Sequence, residues 1–280
     1  YPKLAVAPID QDSVTHTEAI GATLFDTSTL EEITTDVAVA DTTRGDVAAS
    51  KDAGDNTRVW TGTQTITSSD GVIRSQSADR AAFEATTAEA VNCCGGFQED
   101  EEGVRTPVER EGLIYKFPFG TEKKTYQWWD GTLGETVDAK FVEEDTVEGL
   151  DVYVFTTTNE PTVVGTIDVP GSLVGEDAAT VTADRVYSNT RTLYVEPVTG
   201  AIVDRREQQL STIAVDGVDM ITATEADLHY TDDQVKDNVD EYKTKATLLS
   251  GVKTTFPLVA LLLGLLAVGG GVLLSRRRES

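Results

Sequence analysis

The sequence predicts a mainly β protein, built as an antiparallel sandwich or a curved sheet, followed by a juxtamembrane helix and a C-terminal transmembrane helix. Three observations lead to this prediction. Segments with strand-like alternation or short apolar runs recur up to residue 228, and Gly, Pro and Asp-Gly turn signals separate them. A capped amphipathic pattern begins at Thr231, and a long uncharged apolar stretch begins at Thr254.

The N-terminal third gives the weakest signals. Residues 1–58 are rich in Thr, Asp and Ala and are predicted to form short strands and turns. The first clear strand is 59–67, where threonines alternate with other residues and so share one face. The segment 79–90 is predicted as a short helix, and the charged stretch 98–103 as an exposed loop.

The middle of the chain is a run of strand candidates joined by turn signals. Asp216-Gly217, between two apolar segments, predicts a tight hairpin. The segment 196–200 has Pro early and Gly late and predicts a second turn. The strand candidates are 113–119, 125–129, 139–142, 150–157, 163–169, 191–195, 201–208, 211–215 and 218–228.

One amphipathic helix is predicted after the last strand. Thr231 and Gln234 have the spacing of a capping box, in which Thr231 caps the helix and Gln234 reaches back. Apolar residues then recur on one stripe. They are Val235, Val239, Tyr242, Ala246 and Leu249. The stripe could pack on the sheet, and the helix could also act as a stalk that sets the height of the ectodomain.

The C-terminal stretch 254–274 predicts a membrane span. It holds about 20 uncharged residues, enough to cross a hydrocarbon core about 30 Å thick. The basic residues Arg276, Arg277 and Arg278 follow and predict a cytoplasmic end. We therefore expect a cell-membrane protein with four parts along the chain. They are an extracytoplasmic β-rich domain (1–230), a juxtamembrane helix (231–253), a transmembrane helix (254–275) and a cytoplasmic tail (276–280).

Small residues form a continuous face on the predicted transmembrane helix. They recur at helical spacing as Ala260, Gly264, Ala267 and Gly271. Such faces let helices approach closely in lipid, which predicts a homo-oligomer or contact with another membrane subunit. The alternative is the ordinary content of small residues in such a helix. Upstream of Tyr1, we expect either a cleaved signal peptide or a second membrane anchor.

Composition and motifs exclude several classes of function. The formal net charge is −25, so the surface repels nucleic acid and we expect no nucleic-acid partner. The sequence holds no nucleophile elbow, zinc-protease, phosphate-loop or dinucleotide motif, so we expect neither an enzyme nor a cofactor. With two histidines and two cysteines, no metal site is expected.

The two cysteines, Cys93 and Cys94, are adjacent and precede Gly95-Gly96. Outside the cytoplasm thiols tend to oxidise, and the glycines allow the tight turn that a vicinal disulfide needs. Free or intermolecular thiols are the alternative. A bridge here would act as a rigid turn, or would serve a redox or ligand-contact role.

An aromatic cluster coincides with the densest positive charge of the predicted ectodomain, between residues 116 and 130. These side chains could belong to a hairpin that fills the core. Alternatively, they could line a pocket for an apolar or glycan ligand, or lie at the lipid headgroup layer. The candidate ligand-binding residues are Phe117, Phe119, Tyr126, Trp128 and Trp129.

Several long motifs carry a resemblance to a known family. They are YPKLAVAPID (1–10), AVNCCG (90–95), EGLIYKFPFGTEKKTYQWWD (111–130), DRVYSNTRTL (184–193) and NVDEY (238–242). The chain resembles an actinobacterial envelope family of unknown function, also labelled the PorA-type porin family. The resemblance implies a hydrophobic segment before Tyr1, but supplies no catalytic or binding residues. Because one segment alone is apolar enough to cross as a helix, conduction would require a helical oligomer.

Together, these observations predict a membrane-anchored, extracytoplasmic envelope protein that binds a lipid or another hydrophobic ligand without catalysis. Membrane lipid is the expected partner. The first alternative is an accessory or structural subunit of a larger membrane complex. The second is a porin or channel component, as the family label suggests.

Overall fold

The computed structural model describes residues 4–99 and 103–252. Within these ranges, no helix combines the length and the apolar character that a membrane span requires. The predicted transmembrane helix, with Ala260, Gly264, Ala267 and Gly271, lies outside the described residues. The arginines at 276–278 also lie outside them.

The described residues form thirteen strands, two α-helices and one 3-10 turn. The helices are α1 (Val47–Ala53) and α2 (Asp232–Ser250), and the 3-10 turn is Gly171–Leu173. The first seven strands are β1 (Asp12–Asp26), β2 (Glu31–Gly45), β3 (Thr57–Ser68), β4 (Ile73–Glu84), β5 (Ala90–Val91), β6 (Phe97–Glu99) and β7 (Arg105–Pro107). The remaining strands are β8 (Tyr126–Asp130), β9 (Glu135–Val147), β10 (Leu150–Pro170), β11 (Thr180–Glu196), β12 (Ala201–Val215) and β13 (Val218–Tyr230).

All strands belong to one antiparallel, curved sheet. Its order is β7-β6-β4-β3-β2-β1-β13-β12-β11-β10-β9-β8, with β5 paired to β4. Bulges interrupt several ladders, for example between Glu18 and Thr23 in the β1–β13 pair, and bulges increase local bending. Of the two predicted architectures, the structure has the curved sheet and not the sandwich.

The two edges of the sheet approach each other. The side-chain amide of Gln98, on β6, donates to the carbonyl of Gly131, just after β8, at 3.2 Å. Leu113 forms isolated bridges to Glu89 on one side and to Trp128 on the other. The sheet therefore encloses an inner face, which is shielded from solvent where the edges meet.

Both predicted turns are confirmed. Asp216 and Gly217 have φ values of 51° and 77°, the positive values that a two-residue hairpin of this kind needs. Val215 and Val218 pair across it. In the turn between β11 and β12, both carboxylate oxygens of Glu196 accept hydrogen bonds from the turn backbone.

Four local predictions were wrong. Residues 1–58 contain two 15-residue strands, β1 and β2, as well as α1, where short strands were expected. The segment 79–90 was predicted as a helix, but residues 79–84 belong to β4. Pairing with β3 overrides the helical propensity of the alanines in this segment. The segment 113–119 was predicted as a strand, but residues 114–119 form none. The segment 98–103 was predicted as an exposed loop, but Gln98 and Glu99 lie in β6.

Helix α2 begins at the predicted residue, but only one of the two hydrogen bonds of its capping box is present. Thr231 accepts a hydrogen bond from the backbone of Gln234 at 3.3 Å. The side chain of Gln234 does not reach back to Thr231. It accepts from the backbone of His16 on β1, because the backbone N–H of Thr231 already donates to the His16 carbonyl.

The apolar stripe of α2 packs on the sheet. Val239 is buried against Leu150, Val152 and Val203, with Val235 and Tyr242 beside it. Asn238 donates to the carbonyl of Val203, where the β11–β12 ladder contains a bulge. Helix α2 therefore lies across the end of the sheet at which β11 turns into β12. An apolar cluster around Val169, Ile213 and Ile221 lies near the opposite end.

Candidate ligand-binding cavity

The segment between β7 and β8 crosses the inner face of the sheet. We call residues 110–125 the bridging segment. The backbone of Ile114 donates to the carbonyl of Ala88 at 3.2 Å, and that of Phe117 donates to the carbonyl of Gly200 at 2.8 Å. These bonds tie the connection after β4 to the turn between β11 and β12, so the segment spans the sheet from one side to the other.

The bridging segment divides the predicted aromatic cluster into two groups. Phe117 is fully buried and packs its ring against Trp128 at 5.3 Å and Phe155 at 4.6 Å between centroids. Tyr126 joins this group, which supports the core alternative for both Phe117 and Tyr126. Phe119 and Trp129 are half-buried and border a cavity.

The cavity has a volume of about 1270 Å³. Its wall is formed by residues of β1–β4, β6, β8 and β11–β13, together with the N-terminal residues from Leu4, the bridging segment and α2. All three tryptophans of the chain, Trp60, Trp128 and Trp129, line it. Tyr115, Ile202 and Leu249 add further apolar surface.

Charged side chains form one part of the cavity wall. Arg191 pairs with Glu207 at 2.9 Å, and Arg205 lies 3.1 Å from the same carboxylate. Burial raises the pKa of Glu207, but the two arginines outweigh it and hold the pKa at about 2. Asp41 approaches Arg205 at 3.5 Å and Asp130 approaches Arg191 at 3.8 Å. Each guanidinium therefore faces compensating negative charge.

A second polar group lies between the bridging segment and β4. The hydroxyl of Tyr115 donates to Asp79 at 2.9 Å, and Arg110 lies 3.6 Å from the same carboxylate. Burial raises the pKa of Asp79, against the opposing effects of Tyr115 and Arg110. This contact holds Tyr115, whose φ is +65°, in a backbone conformation that L-residues rarely adopt.

Lys116 lies on the same wall. Its ammonium donates to the carbonyl of Thr199 at 2.7 Å and lies 3.7 Å from the ring centroid of Phe119. Burial lowers the pKa of Lys116 to about 7, and the charge of Glu196 opposes this shift. The sequence marked this region as basic, but it did not distinguish Lys116 from Lys123 and Lys124. Those two are exposed and ion-paired, whereas tertiary packing leaves Lys116 half-buried.

The cysteines lie apart from this cavity. The structure joins Cys93 and Cys94 in a vicinal disulfide, and Cys94 has a φ of +65°. They line a smaller depression of about 500 Å³ with Gly95, Gly96 and Arg110. Arg80 donates to the carbonyl of Cys94 at 3.2 Å. In the described part of the chain, no cluster of His, Cys, Asp or Glu could hold a metal ion.

Three comparisons relate this chain to known proteins. The family described as Porin PorA matches residues 1–273. A Porin PorA from Corynebacterium amycolatum is 31% identical over a match that covers 38% of this chain and 34% of that protein, about a third of its length. A putative lipoprotein from Parabacteroides distasonis is 9% identical, with 80% of this chain and 95% of that chain covered. Its TM-score of 0.23 is too low to support a conclusion about the fold.

Proposed function

This chain belongs to the PorA porin family, and we propose that it is a non-enzymatic protein of the cell envelope that binds a lipid or another hydrophobic ligand. The observation that carries the proposal is the cavity of about 1270 Å³ on the inner face of the sheet. It is somewhat larger than the roughly 300–1,000 Å³ of ordinary ligand pockets, which suits a bulky ligand.

The lining supports a ligand with an apolar body. Trp129 and Phe119 are half-buried and present aromatic surface to the cavity, and Leu248, Leu249 and Val252 border it from the end of α2 and just beyond it. An acyl chain buried against such surfaces is removed from water, which favours binding in proportion to the apolar area covered. The polar wall formed by Arg191 and Arg205 would then fix the orientation of the ligand.

The proposal includes anchoring to the cell membrane. The stretch 254–274 would span the bilayer, with the arginines at 276–278 in the cytoplasm and the curved sheet outside. Helix α2, which leads towards this stretch, borders the cavity through Leu248 and Leu249. Membrane lipids would then be the nearest hydrophobic ligands.

Native mass spectrometry of the full chain, released from lipid nanodiscs, tests this proposal. We expect discrete added masses that match lipids. The variant Thr43→Trp should lose them, because Thr43 lines the cavity opposite Gly62 and a larger side chain would occupy the volume. Thr65→Trp makes the same change at a position of β3 outside the cavity lining, and should keep the added masses. A bare mass for the parent chain, or equal loss in both variants, would contradict the proposal.

A channel component is the second candidate, and the name of the matched family favours it. Conduction would require several copies, joined through the small-residue face of the predicted transmembrane helix. Planar bilayer recordings on the purified chain would then give a reproducible unitary conductance. The double variant Gly264→Leu/Gly271→Leu should abolish the conductance, because larger side chains keep the helices apart. A conductance that survives this change would not arise from that interface.

A further inference from the structure

We propose that Lys116 binds the acidic head group of the ligand in the cavity, so that the ligand is a long-chain amphiphile with a carboxylate or phosphate head. This inference rests on the proposed function, because it assigns a chemical class to the ligand of the same cavity. Four features of the described residues support it: the charge state of the wall, the packing of Lys116, the backbone that holds it and the surrounding apolar surface.

Every other lysine or arginine that lines the cavity has a carboxylate partner. Arg110 faces Asp79, Arg191 faces Glu207, Arg205 faces Asp41 and Lys245 faces Glu241. Within the described ranges, no carboxylate lies within ion-pair distance of Lys116. Because the other cations are already compensated, an incoming anion would gain most at Lys116.

The closest candidate partner for Lys116 is otherwise engaged. Glu196 raises the pKa of Lys116 through its charge, but its carboxylate accepts hydrogen bonds from Val198 and Thr199 in the turn between β11 and β12. Among the residues that the structure describes, the ammonium of Lys116 makes one hydrogen bond, to the Thr199 carbonyl. An ammonium has three donors, so two remain for a ligand.

The backbone holds Lys116 at this place against its intrinsic preference. The N–H of Lys116 bonds to the carbonyl of Ile114 at 2.8 Å, around Tyr115 with its φ of +65°. A three-residue turn with positive φ at a non-glycine residue is strained, and it persists only where the surroundings fix it. The Tyr115–Asp79 hydrogen bond and the buried ring of Phe117 supply this constraint on either side of Lys116.

The acidity of the whole chain does not oppose this assignment. Charges on the outer surface are screened beyond about 8 Å at physiological salt, whereas the charge of a half-buried ammonium on its contact partner is screened much less. Asp10 and Asp237 also line the cavity, but they are exposed. Burial lowers the pKa of Lys116 to about 7, and a bound anion would restore its protonated form.

Tryptophan fluorescence offers a direct test, because all three tryptophans line the cavity. The full chain in lipid nanodiscs is titrated with three probes of equal chain length: an ω-brominated fatty acid, the matching alkyl phosphate and the matching alcohol. Bromine quenches tryptophan at short range. We expect the acid and the phosphate to bind about tenfold tighter than the alcohol, the effect of one charge-assisted hydrogen bond. The tighter of the two identifies the source of the acidic head.

Three variants isolate the role of Lys116. In Lys116→Met the acid and the alcohol should bind equally, while binding of the alcohol stays unchanged. Lys116→Arg keeps the charge and should retain the preference for acid. Lys245→Met removes a cavity lysine that is already paired with Glu241, and should also retain it.

The outcomes separate the two proposals. Equal binding of acid and alcohol by the parent chain would overturn the assignment of Lys116 and leave a hydrophobic ligand in place. A preference for acid that persists in Lys116→Met would overturn it as well. Absence of quenching by all three probes would contradict both the cavity as a ligand site and the role of Lys116.

Discussion

The inner face of the sheet contains two regions that differ sharply in how they are filled. Phe117 of the bridging segment packs with Phe83, Phe155 and Leu193 into one aromatic and aliphatic cluster, and all four are completely buried. Beside it, Arg191 and Arg205 line a cavity, and both pair with the buried Glu207. One surface of one sheet therefore serves as a core in one place and as a lined cavity in another.

A contribution to folding stability explains the packed cluster, but it does not explain the charged wall. Packed rings remove apolar area from water and contribute directly to the free energy of folding. Buried charges lose hydration, and replacing such groups by apolar ones is often neutral or stabilising. The charged wall is thus better explained by a need for polarity on the inner face than by a contribution to stability.

The largest difference in stability between the two regions is expected when Phe117 and Phe119 are each replaced by Ala. Phe117→Ala should lower the free energy of unfolding by about 3–5 kcal/mol, because it leaves a hole in a fully packed cluster. Phe119→Ala should lower it by only about 1–2 kcal/mol, since that ring is half-buried and contacts Lys116. Chemical denaturation of both variants measures the two values. Equal losses would mean that the cavity wall and the core are not distinct regions.

Glu207→Gln probes the charged wall. Removing the carboxylate leaves Arg191 and Arg205 without their shared partner, which should lower the free energy of unfolding at neutral pH by about 3–5 kcal/mol.

The stabilising effect of Glu207 should also depend on pH. The pKa of Glu207 is held at about 2, below its ordinary value of 4.5, so its contribution is present above 4.5 and is lost as the pH falls through about 2. The difference in unfolding free energy between the parent chain and Glu207→Gln should therefore shrink across this window. Denaturation at a series of pH values measures it, and a difference that grows on acidification would contradict the assigned ion pairs.

The smallest effect is expected at the disulfide. Replacing Cys93 and Cys94 by Ser should lower the free energy of unfolding by about 1 kcal/mol or less, because a bridge between neighbours closes no chain loop. Binding in the larger cavity should not change, since the cysteines do not line it. Alkylation followed by mass spectrometry checks the bridge: both residues should stay unmodified until a reductant is added. Modification without reductant would favour the free thiols.

Much of the fold was predictable where the signal is local. The hairpin at Asp216-Gly217 and the helix cap at Thr231 depend on residues a few positions apart, and both are present. The prediction for 79–90 was wrong because the conformation of residues 79–84 depends on a contact between strands, the pairing of β4 with β3. The second half of the capping box was wrong for a similar reason: the partner of Gln234 is His16, at the other end of the chain.

The candidate site was predictable only in part. The sequence identified an aromatic cluster, but it could not separate Phe117, in the core, from Phe119, on the cavity wall. That separation depends on the positive φ of Tyr115 and on hydrogen bonds from the bridging segment to the Ala88 and Gly200 carbonyls. Trp60, Arg191 and Arg205 were not identified, because they come from strands that are distant in sequence.

The sequence by itself determined the β-rich class, the family resemblance, the turns and the amphipathic helix, because periodicity, turn chemistry and motifs are local properties of the chain. Tertiary structure alone decided that the strands form one curved sheet, which inner-face residues pack and which surround a cavity. It also decided which lysine of the cavity wall is half-buried without a carboxylate partner among the described residues. These properties depend on strand order, on curvature and on the path of the bridging segment. All three arise from contacts between residues that are far apart in the chain.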